Sequence, residues 1–219
     1  MIRGDIADVL RRSGKPRQAL AWLRAAHADP LLDPGRIGQV SVALLQSASA
    51  NALHDLGRHA EALVSARAAA DTSTKFLGPD NYFTLTQRST IASIDAALGH
   101  CATALSSARD VRERMARRFD ERTQPSLIAT GDLGKIELRC GDRETGMRHV
   151  RDAERGLRAH YGDDNIAARG FRFALAKALA DEGQYREALQ EAESLDITAS
   201  AAADASPGWQ HRVHALRGS

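Results

Sequence analysis

The chain has 219 residues, enough for one or two domains or one array, and its 30 lysines and arginines are nearly matched by 28 aspartates and glutamates. A formal charge of +2 argues against a nucleic-acid surface, and 5% aromatic residues exclude a core of aromatic clusters. Two cysteines cannot form a disulfide framework and point to a reducing compartment.

Ile2–Arg12 is predicted as a shortened first helix and Arg17–Ala28 as its partner, a degenerate pair within residues 1–34. Asp29-Pro30-Leu31-Leu32-Asp33-Pro34-Gly35 separates this pair from the rest of the chain. Beyond it a glycine recurs. Gly57, Gly99, Gly141 and Gly183 are each 42 residues apart, and Gly14 lies 43 before the first. A fixed period means stacked copies of one unit, with bounds at 37–78, 79–120, 121–162 and 163–197.

Each copy reads as two helices meeting at the glycine, because glycine takes the left-handed conformation that ends a helix. In the second copy the first helix runs from about Tyr82 to Leu98 and the next from about His100 to Phe119. Leu77, Phe119 and Tyr161 open the loops between copies, again 42 apart. Asp, Asn or Thr in those loops can accept the free amide hydrogens that start the next helix, and Asp163 and Asp164 read as such a cap. Five residues past each glycine lie Ala62, Ala104, Gly146 and Ala188; nine past lie Ala66, Ala108, Val150 and Ala192. These mostly small residues let helices approach closely. The last repeat helix is predicted to stop near Ile197, with Thr198–Ser206 as a loop. Trp209, Val213 and Leu216 then form one apolar stripe on a capping or truncated helix over residues 206–217. The fold expected is all-α, a superhelical array of antiparallel helix pairs.

The segments Gly57-Arg58-His59-Ala60-Glu61-Ala62-Leu63 and Gly183-Gln184-Tyr185-Arg186-Glu187-Ala188-Leu189 carry a specific likeness. The chain resembles tetratricopeptide repeat (TPR) proteins of the long-period variety found in kinesin light chains and bacterial regulatory proteins. Four residues before the glycine that family has an apolar residue. Leu53 and Leu179 comply, whereas Asp95 and Glu137 do not. A buried carboxylate needs a partner or is destabilising, so either the helices are expected to be slightly rotated or these side chains to reach the edge.

The resemblance implies a non-catalytic protein-interaction module whose concave face is lined by the first helix of each pair. Carried over by position, that face presents Leu44, Ser47, Asn51, His54 and Asp55, then Thr86, Ser89, Ser93 and Ala96. Ile128, Asp132, Lys135 and Arg139 come after them, then Phe173, Lys177 and Asp181. Lys135, Arg139 and Lys177 would grip a peptide or protein segment through an acidic or carboxy-terminal group; ordinary solvated lysines and arginines are the plain alternative. Two other functions stay open: self-association, as a homodimer or end to end, and a regulatory or sensor domain detached from a larger bacterial kinase, ATPase or transcriptional regulator.

No phosphate loop or His-Glu-x-x-His pattern is present, and no catalytic residue, metal or cofactor is expected. The eight histidines show no metal spacing; His211 and His214 could share a helix face. Cys101 and Cys140 read as inert buried thiols, with a disulfide as the alternative. Arg109–Arg122 holds six arginines and four carboxylates, a solvated paired face rather than a nucleic-acid stripe. No apolar run is long enough to span a membrane, and Met1–Asp5 lack the hydrophobic stretch of a secretion signal, so a cytoplasmic protein is expected.

Overall fold

The computed structural model describes residues 2–28 and 36–201. The predicted break at 29–35 and the stripe Trp209–Leu216, with His211 and His214, lie outside them. Ten helices make up the described residues: α1 Ile2–Arg12, α2 Pro16–His27, α3 Arg36–Asp55, α4 His59–Leu77, α5 Tyr82–Ala97, α6 Cys101–Arg118, α7 Gln124–Arg139, α8 Arg143–Tyr161, α9 Ile166–Asp181 and α10 Tyr185–Ala201. The last continues through Thr198–Ala201, where the sequence suggests a loop; Ala199 and Ala201 favour the helix. No strand occurs among the described residues, and no helix there is long and apolar enough to cross a membrane.

Each turn glycine closes its pair by the same two backbone bonds. Gly57, with φ +74°, donates its N–H to the His54 carbonyl at 3.0 Å, and Arg58 donates to Leu53 at 2.9 Å. The pattern recurs at Gly14, Gly99, Gly141 and Gly183. Two carbonyls at the end of each first helix are thereby satisfied without water. Between copies the starts differ. The Asn81 and Asn165 side chains accept amide hydrogens of α5 and α9. Thr123 makes no such bond; the Tyr161 hydroxyl instead accepts the Gln124 N–H at 2.9 Å. Asn165, not Asp163 or Asp164, caps α9, and Asp163 lies 3.7 Å from Arg158 as its counter-ion.

The chain divides into two compact units, Met1–Arg114 and Met115–Ser219. In the first, Ala7, Leu20, Leu23, Leu45, Leu53 and Ile94 share one core; fully burying one such leucine contributes about 2 kcal/mol. In the second, Met147, Val150, Leu157, Phe171, Leu175 and Leu179 do the same. The helix crossing in each pair falls seven residues before and five after the glycine. Ala50 with Ala62 occupies those positions in α3/α4, and Ala176 with Ala188 in α9/α10, all buried. In α7/α8 they are Gly134 and Gly146, and a Cβ on either would meet the other's carbonyl oxygen at 2.8 Å.

Asp95 and Glu137 are not at an edge: they are 3% and 2% exposed. The helices keep their register, and each carboxylate takes a histidine as partner. His100 Nδ1 lies 3.1 Å from Asp95 Oδ1, and His149 Nδ1 lies 2.6 Å from Glu137 Oε2. Neither cysteine is a free thiol: Cys101 and Cys140 are both disulfide-bonded. The inert thiols expected from the sequence give way to its alternative, and the step from sparse cysteines to a reducing compartment loses its footing.

Candidate functional site

Position six before each turn glycine escapes burial. Asn51, Ser93, Lys135 and Lys177 are half-buried or exposed, although the residue on either side of each is buried. The cause is helical geometry. The flanking residues point to the partner helix and to the neighbouring first helix, and this one points between them into solvent.

In the first unit the face comes from α3 and α5. Asn51, Ser89 and Ser93 are half-buried and uncharged. Thr86 donates its hydroxyl to the Tyr82 carbonyl at 2.9 Å, so its proton is already used within its own helix. Ala96 is 4% exposed and does not line a surface. Asp55 accepts from Arg11 at 3.0 Å. His54 Nδ1 faces His59 Nδ1 at 3.1 Å.

In the second unit the face comes from α7 and α9, which meet where the Phe171 ring lies against Gly131. A Cβ on that glycine would sit 2.4 Å from the ring. The Lys135 ammonium lies 5.2 Å from the centre of the same ring and 2.6 Å from Asp132 Oδ1. Lys135 is therefore oriented from two sides, and its charge is half spent. Arg139, one turn further on, and Lys177 on α9 are exposed and have no ion-pair partner among the described residues. Phe173 turns away from them and packs on Ala192 and Leu195 of α10. The expected cluster thus resolves into two unpaired cations and one paired one.

Behind this face the second unit buries charge. Arg172 and Glu154, each 6% exposed, form a direct ion pair, and Arg172 donates a second bond to Ser194 at 3.2 Å. Arg143 ties α8 to α9 through Glu182 at 2.5 Å and the Ala178 carbonyl at 2.8 Å. Neither link is legible in the repeat pattern, because the charged pairs do not recur: one copy earlier Thr130 and Arg112 stand in place of Arg172 and Glu154, and Cys101 and Cys140 in place of Arg143 and Glu182. Within Arg109–Arg122, Arg114 bonds Asp110 and Asp80, each at 2.9 Å, the paired face expected there. No group of three or more metal-ligating side chains occurs among the described residues.

No protein-family model matches the sequence, and no curated protein matches it. Solved structures do match in fold. A Rap protein complexed with competence and sporulation factor superposes with a TM-score of 0.73 at 16% identity over 93% of this chain. The chain spans 52% of that protein, about half its length. PlcR of Bacillus thuringiensis, in complex with the peptide PapR7 and DNA, gives a TM-score of 0.73 at 12% identity, covering 97% of this chain and 72% of the other. A kinesin light chain protein of Podosopora anserina with nearly identical TPR-like repeats gives 0.55 at 16% identity, covering 91% and 94%. The fold is that of TPR-like helical repeat proteins.

Proposed function

We propose that this chain is a protein-interaction module that holds a peptide or extended protein segment on the faces of its first helices. The observation that carries the reading is that in each unit the side chains six residues before the turn glycines, Asn51 and Ser93 in the first and Lys135 and Lys177 in the second, reach solvent between buried neighbours. Such positions offer side-chain chemistry on a backbone fixed by packing, which is what recognition of an extended chain requires. Two fold neighbours crystallised with partners, one of them a named peptide, add support. The module works by binding rather than catalysis.

On α7 and α9 the ligand is acidic or ends in a carboxylate, because Arg139 and Lys177 have no ion-pair partner among the described residues and Lys135 is held ready above Phe171. Charge-assisted bonds of this kind contribute about 1.5–3 kcal/mol each. The test is fluorescence anisotropy with labelled peptides ending in Asp or Glu against the same peptides amidated and neutral. Arg139→Glu with Lys177→Glu should weaken acidic binding at least about a hundredfold. Lys135→Glu alone should do less, since Asp132 already shares that charge. Equal affinity for neutral and acidic peptides, or unchanged affinity in the double variant, would remove the acidic ligand from the reading.

A further inference from the structure

We propose that His54 and His59 form a two-imidazole site for a borderline divalent metal ion of the zinc or copper class. Histidines five apart have no ligand spacing on a single helix. Here they sit on two helices, at the end of α3 and the start of α4, and the Gly57 turn folds one onto the other. The Nδ1 atoms face each other at 3.1 Å, with ring centres 4.9 Å apart and planes inclined by 51°. With metal–nitrogen distances of about 2.0–2.1 Å, donors so spaced subtend about 98° at a shared ion. That lies between the right angle of cis square-planar ligation and the tetrahedral angle, the geometries these metals adopt.

The turn also supplies rigidity. Gly57 and Arg58 donate back to His54 and Leu53, so little ordering remains for a metal to impose. The same two positions flanking the other repeat turns hold Ala96 and Cys101, Leu138 and Arg143, and Ala180 and Tyr185. Only at Gly57 do both carry imidazoles. Both rings are half-buried, so water or a further ligand can complete the coordination. Nearby cations are committed elsewhere, Arg58 to Glu61 at 2.6 Å and Arg11 to Asp55 at 3.0 Å. The carbonyl end of α3 favours a cation and the amide end of α4 opposes it; the imidazole donors decide. His100 and His149 are engaged by buried carboxylates and do not compete.

The experiment is calorimetric titration of the full chain, cysteines oxidised, with Zn2+ alone and with Cu2+ alone. A His211→Ala/His214→Ala background excludes the other histidine pair. One equivalent should bind, and His54→Gln or His59→Gln should each weaken binding at least about tenfold, a loss that even an outer-shell partner can produce. If either variant fails to fold by circular dichroism, electron paramagnetic resonance of the Cu2+-loaded parent replaces it, with coupling to two nitrogens expected. No bound equivalent in that background, unchanged binding in a folded His54→Gln protein, or coupling to fewer than two nitrogens would overturn the proposal.

Discussion

The two units solve one packing problem with different residues. In the first, α3 and α4 cross on Ala50 and Ala62, and the position four before the glycine is Leu53. In the second, α7 and α8 cross on Gly134 and Gly146, and that position is the buried carboxylate Glu137. The second unit also buries Glu154 against Arg172, where the first has Ala70 and Arg88 in the same register. A repeat therefore fixes where helices cross and turn, while the filling of the space between them stays free.

The largest break in that comparison should come from Arg172→Met, which strands Glu154 with only Arg158 at 3.7 Å. Chemical denaturation should read a loss of about 3–5 kcal/mol, and adding Glu154→Leu should restore most of it. A double variant as unstable as the single would mean that packing, not charge, holds this site. Next in size is Gly134→Ala. The new methyl meets the Gly146 carbonyl at 2.8 Å and Val150 Cγ2 at 2.8 Å. Overpacking of this kind costs about 1–3 kcal/mol, against about 1 kcal/mol gained in helix propensity. A net loss of up to about 2 kcal/mol is expected, whereas Ala50→Gly in the first unit should lose about 1 kcal/mol for the opposite reason.

The period, the turns and, to within a residue, the bounds of α1, α2, α5 and α6 were legible because backbone chemistry dictates them. A left-handed glycine leaves the same mark in each copy, and small residues at the crossings leave another. Side-chain pairing was not legible. Nothing in the spacing of Glu137 and His149 announces a bond, since it spans a turn and depends on how far α7 and α8 approach. Asp95 and Glu137 looked like edge residues because the pattern records a departure from apolar and not the partner that makes it tolerable. At the candidate face the resemblance to TPR proteins implied Lys135, Arg139 and Lys177, and nothing in the sequence pattern marked Asp132 as a counter-ion or Phe173 as a residue packed on α10.

A smaller effect sharpens the comparison at Glu137 itself. Glu137→Leu installs the residue that the first unit uses at Leu53. His149, half-buried, can turn to water, so this exchange should stay within about 1 kcal/mol of the parent. Glu137→Ala, which leaves a void as well, should cost about 2 kcal/mol in the same denaturation assay. If Leu proves as costly as Ala, the ion pair stabilises the second unit in a way that volume cannot replace.

The smallest effects should differ in sign between the units. In the first, burial lowers the pKa of His27 below its usual 6.5, opposed by its bond to the Leu45 carbonyl. The folded chain then binds fewer protons than the unfolded one as pH falls below 6.5, so stability rises with pH through that window and is lost on acidification. In the second, Glu191 is raised above its usual 4.5, chiefly by burial and against the pull of Arg172. Between 4.5 and the raised value the folded chain binds more protons, so this residue makes stability fall as pH rises. Denaturation from pH 4 to 8 should show His27→Gln flattening the rise below 6.5 and Glu191→Gln removing the opposing fall. In a Trp209→Phe background, Trp22 fluorescence reports the first unit alone. It should track the His27 change and ignore the Glu191 change if the two units respond separately, and track both if they unfold as one.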